Sequence, residues 1–368
     1  MASSYDVIVI GGGAIGSACA RELAAAGRRV LIVDPGGDSG QAWRAAAGML
    51  APQIEADASD PLLKLGLAGR DHYDALAPAL QETTDIDIGL WREGIARVAT
   101  ESTEATTLRA KVAWQQRQGY ACEWLDGDQL HRQWPWLGPA RGALWAPRDG
   151  ALDPERLVQA LLTDAKRLGS KVVGDRVIAI IESGNRVVGV KCEAREFRAS
   201  DVVLAAGAWS GLIQDLPRPL PVRPVRGQMA ALPWPPGVGR AIVYRNDCYI
   251  LARGGEAIVG STMEEAGFRS EVTSAGLAGI LSATLSLCPA LLRAKVRRTW
   301  AGLRPMTPDG LPVIGAEPRL PGLWYATGHG RNGILLAGLT GVLVRQLIAG
   351  EQPLQDLSAF TPARFAAP

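Results

Sequence analysis

Three groups of residues in this 368-residue chain have types and spacings that could do chemistry. Gly11, Gly13 and Gly16 make a Gly-x-Gly-x-x-Gly pattern, in which backbone N–H groups and a helix N-terminus can face a pyrophosphate. Asp34 follows 34 − 11 = 23 positions after Gly11. A carboxylate there can accept hydrogen bonds from ribose hydroxyls and would repel a 2′-phosphate, which disfavours NADP. Near the other end, Gly328-His329-Gly330-Arg331-Asn332-Gly333 directly precedes an apolar run over residues 334–344. That run offers a second glycine-rich helix start, whose partial positive charge suits an anionic ring. Between the two lies Arg304, among Trp300, Leu303 and Pro305. With so few polar neighbours its charge is costly unless it faces a cavity and pairs with a ligand carboxylate; a structural salt bridge is the other reading.

The elements around these residues decide what they can do. Tyr5 to Ile10 is a β-branched run ending in glycines, as expected of a central parallel strand. A helix over residues 16–26 capped by Gly27, then a strand over 29–33, completes a βαβ unit. Without that strand and Asp34, the glycine triplet reads equally well as an ordinary strand-to-helix turn. Residues 36–40 form a flexible loop, and residues 44–49 offer a small-residue surface that a planar ligand can approach. Asp153 caps a helix that Pro154 starts and Gly169 ends, with Leu157, Leu161, Leu162 and Leu168 as its apolar face. Strands follow over 171–181 and 201–205. Three further β-rich runs, 222–232, 241–253 and 257–263, predict an antiparallel sheet in a separate module. A helix bearing Leu277, Ile280, Leu281 and Thr284 comes next and is limited by Pro289.

Composition narrows the function classes. Lys plus Arg number 39 against 37 Asp plus Glu, too even a balance for nucleic-acid or anionic-lipid binding, so a small-molecule partner is favoured. The cysteines Cys19, Cys122, Cys192, Cys248 and Cys288 are scattered without a Cys-x-x-Cys pair, which argues against a disulfide framework and a metal site. No signal peptide is visible, and the apolar run 334–344 falls short of the ~18 residues of a membrane span, which points to the cytoplasm. The first 34 residues do not choose between NAD and FAD. A grip at both ends of the chain, one for the dinucleotide and one for the reactive ring, is more natural for FAD.

Taken with Ala45-Ala46-Ala47-Gly48-Met49-Leu50, Ala206-Gly207-Ala208-Trp209-Ser210, Pro224 to Gln228, Cys248-Tyr249-Ile250, Gly260 to Met263, Trp300 to Pro305 and Gly328 to Leu336, these motifs resemble the D-amino-acid oxidase superfamily of flavoproteins. The match is strongest with its glycine oxidase branch, associated with thiamine biosynthesis, and spans nearly the whole chain. The resemblance implies an α/β fold, with a Rossmann-type FAD-binding domain (1–88, 147–219, 299–368) interleaved with a smaller substrate domain (89–146, 220–298). It places FAD against Ala14, Ile15, Asp34, Pro35, Ala47, Gly48, Met49, Val177 and the segment His329 to Leu335. It assigns Arg304 and Arg331 to the substrate, with Tyr249 and Met263 lining the pocket; the helix-start position of Arg331 equally suits a contact to the flavin. Asp34 stands where many relatives carry Glu, and Gln41-Ala42-Trp43-Arg44 replaces a small hydroxyl-rich stretch.

No cysteine neighbours the Trp300 to Pro305 motif, so non-covalent FAD is expected. The implied reaction is hydride transfer from the carbon beside nitrogen to flavin N5, with no side-chain acid or base and no metal. Glycine, sarcosine or a small D-amino acid would give glyoxylate or another keto acid, ammonia where the amine is primary and, with dioxygen as acceptor, hydrogen peroxide. The alternative is an oxidase or dehydrogenase for an N-substituted glycine or a bulkier D-amino acid. Relatives also imply a homo-oligomer, with a tetramer one form of it.

Overall fold

The computed structural model describes residues 5–37, 39–245 and 248–365. Its first sheet carries the dinucleotide unit. Strand Tyr5–Ile10 runs parallel to Val30–Val33 on one side and to Glu196–Leu204 on the other. Lys171–Val173 extends the sheet beyond Val30–Val33, and Leu323–Thr327 extends it beyond Glu196–Leu204, both in parallel. All the side chains of Val7 to Ile10 and Val30 to Val33 are buried, because helices cover one face of the sheet and apolar residues of the strands over 177–183 and 186–192 cover the other. Helix Ala14–Ala25 packs between this sheet and helices Pro154–Arg167 and Gly333–Ile348. The α/β architecture expected from sequence is the one observed.

Local signals set most boundaries. Asp153 accepts hydrogen bonds from the backbone N–H groups of Glu155 and Arg156, capping helix Pro154–Arg167 as its position predicts. Gly27 and Gly169, with φ of 79° and 97°, follow their helices in the left-handed region. The stretch 171–181 is not one strand. It divides into Lys171–Val173, which joins the parallel sheet, and Val177–Ser183, which begins an antiparallel excursion with Arg186–Cys192 and Glu196–Leu204.

The second sheet has eight strands. Arg298–Met306 and Arg223–Pro233 lead it, followed by Glu256–Gly260, Cys248–Arg253 and Ile242–Arg245. Ile95–Ala99, Gly142–Ala146 and Glu123–Asp126 complete it. Its pairs are antiparallel except where Ile242–Arg245 meets Ile95–Ala99 in parallel. The run 241–253 is a hairpin of two strands. Arg298–Met306, which spans the expected start of the last FAD-binding segment at 299, is hydrogen-bonded along its length into this second sheet. Residue 304 is thereby held in the second sheet, and the chain joins the first sheet only at Val313–Ala316.

Candidate active site

The turn after strand Tyr5–Ile10 needs its glycines for separate reasons. Gly11 has φ 102°, and a Cβ there would lie 2.6 Å from the Ala205 carbonyl oxygen. A Cβ at Gly16 would collide with the Gly11 carbonyl oxygen, so the third glycine lets the helix seat against the turn. Gly13 is the helix N-cap and supplies no side-chain cap, which leaves the first N–H groups for a ligand. The carboxylate of Asp34 accepts hydrogen bonds from Gly12 N–H at 2.6 Å and Gly36 N–H at 2.7 Å. Each oxygen is thus fixed by one backbone donor and retains a lone pair for a ribose hydroxyl.

From this turn a continuous cavity runs to the second sheet. Its wall includes Gly11, Gly13, Ala14, Ile15, Asp34, Pro35, Ala47, Gly48, Met49 and Val177, then His329, Gly330, Arg331, Asn332, Gly333 and Ile334. Gly48 has φ 87°, and a Cβ there would collide with the Leu152 carbonyl oxygen, so this stretch presents backbone and small side chains to the cavity. Helix Gly333–Ile348, N-capped by Asn332 without a side-chain bond, supplies the second uncapped N-terminus. One cavity therefore has donor-rich helix starts at both ends. That arrangement fits FAD, whose pyrophosphate carries negative charge and whose isoalloxazine ring gains it on reduction, charges that such termini stabilise. All five cysteines are buried, and none lines the cavity.

Arg304 enters the same cavity from strand Arg298–Met306. Its Nη1 donates to the Thr262 carbonyl oxygen at 3.0 Å and its Nη2 to Ser261 Oγ at 2.6 Å. No carboxylate forms an ion pair with it among the described residues, which removes the salt-bridge reading. Burial pushes the Arg304 pKa down, while the neighbouring Tyr249 opposes that shift. A guanidinium in this state has the geometry to pair with a carboxylate through charge-assisted hydrogen bonds. The register explains how it fits, because Gly227 opposes Gly302 and a Cβ at 227 would collide with the guanidinium. Gly227→Ala is expected to displace Arg304 and raise the substrate KM about tenfold or more, with FAD content unchanged; steady-state kinetics on the yellow protein check this.

Tyr249 is buried in the cavity wall, and its hydroxyl donates to Met229 Sδ at 3.0 Å. Burial pushes the phenol up to about 12, so the group is a neutral donor that can turn to a bound carboxylate. Arg331 differs from Arg304 because it already has partners. Its Nη2 donates to Glu55 Oε1 at 2.6 Å and to the Tyr244 hydroxyl at 3.0 Å. Burial alone would lower its pKa, but Glu55 and Tyr244 hold it above the ordinary value.

His329 is buried and neutral. Its Nε2 lies 3.1 Å from Thr340 Oγ1, and its Nδ1 has no protein partner. Desolvation depresses its pKa to about 3, so the ring is uncharged and only weakly basic near neutrality. Because the folded value lies below the unfolded one, the unfolded chain takes up the proton first. Stability from this group is complete above pH ~6.5 and is lost as pH falls toward 3, by about 2 kcal/mol at pH 5. His329→Gln is expected to flatten that acid limb in urea unfolding followed from pH 7 to 5.

Four expected site residues do not line the cavity. Met263 is 53% exposed and lies outside the wall, since the 260–263 segment reaches Arg304 through Ser261 Oγ and the Thr262 carbonyl instead. Gly16 acts through packing under the turn, and Gly328, with φ 71°, shapes the loop ahead of His329. Leu335 is buried in the core behind the helix start. Glu55, Ser261 and Trp43 line the cavity without having been singled out as site residues. Glu55 sits in no motif. Tyr244 carried a signal, for it pairs directly opposite Tyr249 in the hairpin and so shares its face.

Comparison with known proteins agrees with this geometry. The family model described as FAD dependent oxidoreductase (DAO) matches residues 6–347. Glycine oxidase of Geobacillus kaustophilus (strain HTA426) is 34% identical over 369 residues, covering 99% of this chain and 98% of that protein. The crystal structure of glycine oxidase from Geobacillus kaustophilus superposes with a TM-score of 0.95 over 99% of this chain and all of that one, at 34% identity. Hydrogen cyanide synthase subunit HcnC of Pseudomonas aeruginosa is 30% identical, covering 99% of this chain and 97% of that protein. Iminodiacetate oxidase from Chelativorans sp. BNC1 is 27% identical with a TM-score of 0.90, over 97% of this chain and 98% of that one. A cavity with a helix start at each end, and a family match over most of the length, have one reading: this chain belongs to the DAO family of FAD-dependent oxidoreductases.

Proposed function

We propose that this protein is an oxidase of small amino acids, with glycine its preferred substrate and sarcosine or small D-amino acids as further ones. The observation that carries the reading is Arg304, a half-buried guanidinium without an acidic partner among the described residues, beside Tyr249 in the wall of the FAD cavity. The substrate carboxylate pairs with Arg304 and accepts from Tyr249, which fixes the position of the carbon that bears the nitrogen. Bound FAD, held without a covalent link, supplies the oxidising power by accepting a hydride from that carbon. No side chain is needed as a base when the amine enters neutral, and His329 is in no state to serve as one.

Water then hydrolyses the released imine. With dioxygen as acceptor, glycine, water and dioxygen give glyoxylate, ammonia and hydrogen peroxide in equal amounts. The test is oxygen consumption across glycine, sarcosine, D-alanine and iminodiacetate, with product stoichiometry. Turnover highest with glycine supports the reading, and turnover confined to iminodiacetate replaces it with oxidation of an N-substituted glycine.

A further inference from the structure

The charges at the substrate end of the cavity do not cancel. Arg304 and Arg331 contribute two cations, and Glu55 is the acid on the same wall; Asp34 stands at the opposite, ribose end. Glu55 ends the short helix Pro52–Glu55 and accepts from Arg331 Nη2 at 2.6 Å, where the Tyr244 hydroxyl meets the same nitrogen at 3.0 Å. Other charges nearby do not alter the balance at the wall. Asp57 is paired with Lys111, and Arg97 is turned to the Ile54 carbonyl at 2.9 Å and to the Tyr244 ring. Arg331 is thus neutralised by the protein itself, and Arg304 is not.

We propose that Glu55 sets the number of carboxylates the substrate can carry: by occupying Arg331 it leaves one guanidinium, Arg304, for one carboxylate, and so selects monocarboxylic amino acids against dicarboxylic amines. This inference rests on the reading of Arg304 as the carboxylate site. A glycine with a neutral amine brings one negative charge to a wall whose net charge is one positive. A dicarboxylic amine brings two, so its second carboxylate must displace Glu55 or stay unpaired in a partly buried site. Exchange of Glu55 for a neutral residue leaves Arg331 its Tyr244 contact and makes it a second anion site.

The test uses the FAD-loaded enzyme and two unreactive anions, acetate and malonate, titrated at low ionic strength and followed by perturbation of the flavin absorption. In Glu55→Gln, and in Glu55→Ala as the second variant, the ratio of acetate Kd to malonate Kd is expected to rise about tenfold over wild type. Tyr244→Phe keeps the charges and leaves the ratio near wild type. Adding Arg331→Met to Glu55→Gln abolishes the gain. An unchanged ratio in both Glu55 variants, or a gain that survives loss of Arg331, overturns the role of Glu55 alone. Acetate that leaves the wild-type flavin unperturbed overturns the Arg304 reading and this inference with it.

Discussion

Replacing Arg304 with alanine is expected to raise the KM for glycine steeply while the protein stays yellow. Loss of the partner to a desolvated carboxylate costs about 2–5 kcal/mol, which is about 30- to 5,000-fold in KM. The flavin is retained because the donor-rich helix starts that hold it lie in other elements, Ala14–Ala25 and Gly333–Ile348. Arg304→Lys should recover only part of the loss, since a point charge replaces a planar fork that now also bridges Thr262 and Ser261. Steady-state kinetics with flavin content measured on the same preparation separate substrate binding from cofactor loss. A KM within twofold of wild type would remove Arg304 from the substrate site.

The second large effect is expected at Gly16. Alanine there drives its Cβ into the Gly11 carbonyl oxygen, so the helix must lift from the turn that presents N–H groups to the pyrophosphate. Overpacking of this kind costs about 1–3 kcal/mol of stability, and the displaced helix start should leave the purified protein largely free of FAD. Gly27→Ala makes the comparison specific. Gly27 has φ 79° but nothing within reach of an added Cβ, so its cost is the left-handed backbone alone, about 1–2 kcal/mol, with full FAD content. Equal FAD loss in the two variants would mean that stability, and not the geometry of the turn, governs cofactor retention.

Much of the fold was legible because its signals are local. The βαβ unit announces itself through a β-branched strand, spaced glycines and an acid at the end of the next strand, and Asp153 with Pro154 marks a helix start that tertiary contacts do not shift. What sequence could not supply was pairing across long separations. Residues 298–306 read as a return to the nucleotide domain, yet nine cross-strand partners with residues 223–231 hold them in the other sheet. The same limit applies to the site. Arg304 stood out because its neighbours are apolar, whereas the partner of Arg331 is Glu55, 276 positions away in sequence and outside any motif. Met263 failed for a related reason, since its proximity in sequence to Ser261 and Thr262 says nothing of which groups of a turn face inward.

The most direct test is an anaerobic titration of the FAD-loaded protein with glycine. Bleaching of the oxidised flavin band by one equivalent of glycine per flavin, with re-oxidation on admitting air and no bleaching in Arg304→Ala at the same concentration, is the expected result. A flavin that stays oxidised with saturating glycine, or one that bleaches equally well without the guanidinium at 304, would contradict it.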